Sequence, residues 1–91
     1  MAIRLIVTGR VQGVYYRVSF ETQARALALS GWVRNRSDGS VEALIAGDAP
    51  ALERMVEWAR CGPPLARVDE VIITETADAH AGNDFRILPT H

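Results

Sequence analysis

Apolar residues change spacing along this chain, and the order of those changes leaves few folds open. Ile3, Leu5 and Val7 alternate with Arg4, Ile6 and Thr8, the period of a strand with one buried face. Over residues 18–30 the spacing lengthens: Phe20, Ala24, Leu27 and Ala28 recur at helical intervals, with Glu21, Gln23 and Arg25 left for solvent. Ser30-Gly31 reads as the stop of that helix. Residues 32–37 and 41–46 return to strand character around Asp38-Gly39, a strong hairpin signal. In the returning strand Val41, Ala43 and Ile45 share one face, and Glu42 and Leu44 the other.

The second half repeats the scheme. Asp48 can cap a second helix, and Pro50 is tolerated in its first turn. Leu52, Met55, Val56 and Ala59 form the apolar stripe, with Trp58 at its margin, and Gly62-Pro63-Pro64 ends the helix. Residues 68–75 read as a fourth strand centred on Val71, Ile72 and Ile73, residues 76–83 as a loop, and residues 85–88 as a short last strand. Strand, helix, strand, strand, helix, strand is the split β-α-β order of an α+β, ferredoxin-like sandwich. Two helices are expected to cover one face of an antiparallel-type sheet, with right-handed crossovers and a short fifth strand. The 91 residues are expected to form one domain, 1–91.

Composition removes several classes of function. A net charge of −1 supplies no broad electrostatic footprint for nucleic acid, and the strands lack the paired aromatic platform of an RNA-binding sheet. Cys61 is the single cysteine, so no internal disulfide can form. It reads as a packing residue, since nothing in its neighbourhood would activate a thiol. His80 and His91 read as solvated residues, and no spacing of His, Cys and acidic residues suggests a metal site. No apolar run reaches membrane-spanning length and the start lacks a signal-peptide pattern, so the expectation is a cytoplasmic protein with no membrane or nucleic-acid partner. A monomer is the default.

Residues 9–17, Gly-Arg-Val-Gln-Gly-Val-Tyr-Tyr-Arg, lie between the first strand and the first helix. Two glycines let the backbone bend, and the amides that follow can turn into one concavity at a helix start, where partial positive charge collects. Arg17 adds a fixed charge with a planar fork of donors suited to phosphate oxygens. The stretch is neither a P-loop nor a dinucleotide fingerprint, because no Gly-Lys-Ser/Thr follows and a third glycine is missing. On chemistry alone it fits either an anion cradle or a purely structural loop.

The expected topology brings a second residue to this edge. Strands one and two would run the same way with strand three between them, so their carboxyl ends meet at one edge of the sheet. If Val33 faces the helices, Asn35 does too. Asn35 can be a turn-favouring residue, or an amide that both accepts from and donates to a water beside the cradle. Arg34 and Arg36 would lie on the opposite face as solvated charges.

At these positions the sequence resembles the acylphosphatase family. Residues 9–17 are similar to its Gly-Arg-Val-Gln-Gly-Val-x-x-Arg signature, and Gly31-Trp32-Val33-x-Asn35 to its second motif. Asp38-Gly39-x-Val41-Glu42, Gly47, the spacing from Met55 to Trp58, and Gly62-Pro63 also fit. Two positions depart: Tyr16 stands where the family often has phenylalanine, and Arg36 where it often has threonine. The resemblance implies that Arg17 and the backbone of Gln12, Gly13, Val14, Tyr15 and Tyr16 bind the substrate phosphate, and that Asn35 orients the attacking water. The same signature resembles the N-terminal domain of a larger hydrogenase maturation protein. A chain ending at His91 without cysteine-rich zinc motifs leads us to expect the stand-alone enzyme.

Such a site has no nucleophilic side chain, no metal cluster and no evident general acid. It can assist phosphoryl transfer by positioning and charge neutralisation, which suffices when the leaving group departs without a proton. A carboxylate does so, its conjugate acid having a pKa of about 4. The expected substrate is therefore a small-molecule acyl phosphate, hydrolysed with no cofactor and no metal. The alternative is a non-catalytic ferredoxin-like module that keeps the anion cradle.

Overall fold

In the computed structural model, which describes residues 1–76 and 82–91, seven elements follow one another: β1 (Ala2–Arg10), α1 (Tyr16–Ala26), β2 (Ser30–Asn35), β3 (Val41–Ala46), α2 (Ala49–Cys61), β4 (Arg67–Thr76) and β5 (Phe85–Ile87). The strands form one sheet in the order β4-β1-β3-β2-β5. This is the expected ferredoxin-like β-α-β-β-α-β arrangement with a short fifth strand. β1 pairs antiparallel with β3 and β4, and β2 antiparallel with β3, so β1 and β2 run the same way. β5 departs from an antiparallel sheet by pairing parallel with β2. β4 runs opposite to β1, so it ends at the edge of the sheet where β2 begins, and a chain entering from there can only follow the direction of β2. The expected loop falls largely on residues 77–81, which lie outside the described residues, as does His80.

The core lies between the sheet and the two helices. Leu5, Val7, Val33, Val41, Ala43 and Ile45 from the strands meet Phe20 and Ala24 of α1 and Leu52, Met55 and Ala59 of α2. An aromatic cluster joins the two helices to the edge strand: Phe20 lies 5.7 Å from Phe85 and 5.8 Å from Trp58, which is 5.4 Å from Tyr16. The other face of the sheet is covered at its centre as well. Ala2, Leu44 and Ala46 are buried there with Trp32 packed against them. Beside them Glu42, 4% exposed, takes hydrogen bonds from Arg4 Nε at 2.6 Å and Arg34 Nε at 2.8 Å. Arg34 also lies over the Trp32 ring at 4.7 Å, so it is a bonded, packed side chain and not the free solvated charge expected.

One boundary and one burial differ from expectation for a visible reason. α1 stops at Ala26, not Ser30. Leu29 is drawn into the core, and the chain turns through Ala28 at φ 57° to put it there. The Ala28 N–H bonds Arg25 O at 3.0 Å and the Leu29 N–H bonds Ala24 O at 2.9 Å, the pair of reversed bonds of a Schellman motif. Ser30 and Gly31 are thereby released to begin β2. Cys61 is exposed at the end of α2 rather than packed. It follows Ala59 by two residues, roughly 200° around a helix, so it faces away from the core that Ala59 enters.

Candidate active site

β1 delivers the chain to the site through a bulge. Its pairing with β4 shifts register between Thr8 and Gly9, where φ is 121° and a Cβ would sit 2.2 Å from Arg67 O. Only glycine can pass there. Beyond β1 the side chains of Val11 and Val14 are both buried in the core. They pin the loop at two points, and Gly13 between them is exposed at φ 75°. The backbone of the loop therefore stands outward while its apolar side chains hold it down.

Tyr15 precedes α1 with φ 64°, a left-handed conformation uncommon for a residue with a Cβ, and is 75% exposed. The first intrahelical bond in this turn runs from the Ser19 N–H to Tyr15 O at 3.0 Å. The N–H groups of Tyr16, Arg17 and Val18 thus have no partner within the helix, no side chain caps them, and no acidic residue lies in the first turn. They carry the positive end of the helix dipole. The Tyr16 ring is buried, and its hydroxyl donates to Ala59 O at 2.8 Å, tying the start of α1 to the end of α2. Burial pushes its phenol well above the usual range. The extra oxygen of this tyrosine is thus satisfied inside the core.

Asn35 arrives from β2 on the same face as the fully buried Val33, as expected. It sits opposite Val41, which on its other side sits opposite Val7, so one row across β1, β3 and β2 sets the spacing. Two strand separations are about 10 Å, the span between the root of the cradle and Asn35. The backbone of Asn35 is held from both sides, because its carbonyl also accepts the His91 N–H at 3.0 Å. Its Oδ1 is buried and receives no hydrogen bond from the described residues. Buried polar atoms are nearly always paired, so this acceptor asks for an explanation.

A cleft of about 320 Å³ gathers these parts, lined by Val11, Gly13, Tyr15, Tyr16, Arg17, Val18 and Asn35. Among the described residues, Arg17 is half-buried and makes no ion pair. The cleft thus holds an unpaired guanidinium and an unpaired amide oxygen, with no carboxylate, histidine or cysteine in its lining. Two of the expected residues do not line it. Val14 is buried beneath the loop, and the Gln12 side chain crosses to the β2–β3 hairpin. Val18 and the backbone of His91 were not anticipated from the sequence. Val18 carries only the general signal of an apolar residue at an exposed helix start, and His91 carries none.

Among the described residues, no group of three or more His, Cys, Asp or Glu side chains gathers as metal ligands would, and no helix is long and apolar enough to cross a membrane. Comparison with known proteins agrees with the geometry. The acylphosphatase family model matches residues 3–87. The chain is 50% identical over 91 residues to an acylphosphatase of Azoarcus sp. (strain BH72), spanning 99% of this chain and 92% of that one. The crystal structure of acylphosphatase from Bacillus subtilis superposes with a TM-score of 0.88 at 38% identity, covering 96% of this chain and 97% of that one. An acylphosphatase structure from Coxiella burnetii gives a TM-score of 0.90, also at 38% identity, over 96% of this chain and 90% of its own. With the family model matched over residues 3–87 and relatives matched along nearly its whole length, the chain belongs to the acylphosphatase family.

Proposed function

We propose that this acylphosphatase cleaves the carboxyl–phosphate bond by direct attack of a water held by Asn35, on a phosphate held by Arg17 and the amides of the cradle, without a metal ion. The observation that carries the reading is that Asn35, whose shielded Oδ1 takes no hydrogen bond from the described residues, lines the same cleft as Arg17, which makes no ion pair with them. An acceptor with no protein donor is suited to take a hydrogen bond from water and turn a lone pair of that water toward phosphorus. Arg17 and the free N–H groups at the start of α1 neutralise the equatorial oxygens as charge develops.

The bonds balance without another catalytic group. The water oxygen bonds to phosphorus as the bridging P–O bond breaks, and the carboxylate leaves with that electron pair. The proton of the water passes to a phosphate oxygen, so acyl phosphate and water become carboxylate and dihydrogen phosphate. A carboxylate needs no general acid because its conjugate acid has a pKa of about 4. An alkoxide would need one, and none lines this cleft. Acyl phosphates, which are mixed anhydrides and not esters, are thus the substrates that so sparse a site can serve.

Hydrolysis of acetyl and benzoyl phosphate, followed in the presence of a chelator, tests the reading. Turnover at the same rate with and without chelator is expected. Absence of turnover by folded protein would overturn the activity, and loss only on chelation would overturn the metal-free mechanism.

A further inference from the structure

The side chain of Gln12 turns away from the cleft and reaches the β2–β3 hairpin. Its Nε2 donates to Arg36 O at 2.7 Å and to Ser40 O at 2.9 Å, using both amide protons. These carbonyls belong to the two ends of one turn: the Arg36 N–H itself bonds Ser40 O at 2.8 Å, and the Gly39 N–H bonds Arg36 O at 3.1 Å. Arg36 follows Asn35 directly in the chain. One amide therefore closes the turn and holds the peptide between Arg36 and Ser37, one residue beyond Asn35.

The sheet cannot do this alone. β1 and β2 are not neighbours, and pairing between β1 and β3 ends at Val7 with Val41. The cradle begins beyond that last pair. Among the described residues, the two bonds from Gln12 are the hydrogen bonds that join residues 11–15 to residues 36–40. Past the end of the ladder the core holds the loop through Val11 and Val14, and the hydrogen bonds that tie it to the segment following Asn35 come from one side chain.

We propose that Gln12 is a positioning residue of the reaction: its side-chain amide fixes Asn35 relative to the phosphate cradle, and with it the line along which water meets phosphorus. The proposal rests on the water-holding reading of Asn35. Gln12 touches neither substrate nor water, so its effect should pass through Asn35 and appear in kcat.

The experiment is a double-mutant cycle with benzoyl phosphate, comparing the parent, Gln12→Met, Asn35→Ala and the double variant, with inorganic phosphate inhibition and thermal unfolding of each. Gln12→Met is expected to lower kcat about tenfold or more, since a misplacement of about 1 Å can cost about a hundredfold. It should shift the phosphate inhibition constant by less than about threefold and add less than about threefold to the loss already caused by Asn35→Ala. An unchanged kcat in folded Gln12→Met, or the same factor lost in both backgrounds, overturns the proposal. If Gln12→Met does not fold, Gln12→Glu keeps the shape, lacks both donors and carries the same comparison. If neither folds, the bonds hold the fold and not the site, and the proposal fails. Absence of turnover in the parent, or an Asn35→Ala variant as active as the parent, would remove the reading of Asn35 and this proposal with it. A negative result at Gln12 alone leaves that reading standing.

Discussion

At the scale of single residues, the cleft holds groups that the folded chain leaves unsatisfied. Among the described residues Arg17 lacks a carboxylate partner and Asn35 Oδ1 lacks a donor, and Tyr15 holds a left-handed backbone beside them. The left-handed Tyr15 and the buried unpaired acceptor each cost the folded state something, as expected where a site is kept at the expense of stability. Substitutions should separate the two roles. Arg17→Ala removes the fixed charge on the phosphate, so inhibition by inorganic phosphate and turnover should fall together. Asn35→Ala should lower kcat about a hundredfold, with phosphate inhibition nearly unchanged. Because it deletes a buried acceptor that has no partner, its unfolding midpoint should equal or exceed that of the parent. Steady-state kinetics beside thermal unfolding check both variants. A parallel loss of stability and activity in Asn35→Ala would assign Asn35 a structural role instead.

At the scale of elements, α1 shows a local rule being broken for the core. Its Schellman turn places Ala28 in the left-handed position that glycine favours, and Leu29 enters the core just beyond it. A left-handed residue with a Cβ costs roughly 1–2 kcal/mol, and glycine gives back part of that through its freer unfolded chain. Ala28→Gly should therefore stabilise by about 0.5–1 kcal/mol, raising the melting temperature by about 2–8 °C. A lowered melting temperature would refute this account of the turn. The same turn explains where sequence reading stopped short. Glycine at position 31 is a better stop signal than alanine at 28, and spacing alone cannot reveal that the core will claim Leu29. Each element was marked by the spacing of its apolar residues or by a short apolar run between turn residues, even though β3 is buried along both faces and β4 is largely exposed. The positions of Arg17 and Asn35 were legible for the same reason: one follows a strand and opens a helix, the other shares a face with Val33. The Gln12 bonds were not, since their partners are backbone carbonyls 24 and 28 residues away, and a carbonyl leaves no mark on a sequence. Nor did composition show that Arg34 would be bonded instead of solvated, for the partner that draws it in is a glutamate on the neighbouring strand.

At the scale of the whole molecule, the sheet separates catalysis from an electrostatic lock on its far face. The cleft opens on the side of the helices, whereas Glu42 of β3 lies on the other side, bonded to Arg4 of β1 and Arg34 of β2. The three central strands are thus tied across one carboxylate. Burial by itself would raise the Glu42 carboxyl, but the hydrogen bonds and charges of Arg34 and Arg4 outweigh it and hold the group below its usual range. A carboxyl depressed in the folded state contributes stability above its unfolded pKa, and loses that contribution as pH falls through the folded value. Glu42→Gln should therefore cost about 1–3 kcal/mol at pH 7, a figure kept low because both arginines retain contact with solvent. The difference between variant and parent should begin to shrink near the ordinary carboxylate value of about 4, where the unfolded chain takes up the proton, and vanish as pH falls through the lower folded value. Turnover per folded molecule should not change, because the lock and the cleft share the sheet but no side chain. Denaturant unfolding from pH 7 to pH 3, beside kinetics at pH 7, checks both halves. A stability difference constant across that range would show that the charge on Glu42 is not what ties the strands. A fall in kcat at unchanged folding would show instead that strain on the outer face reaches the cleft through the row joining Val7, Val41 and Asn35.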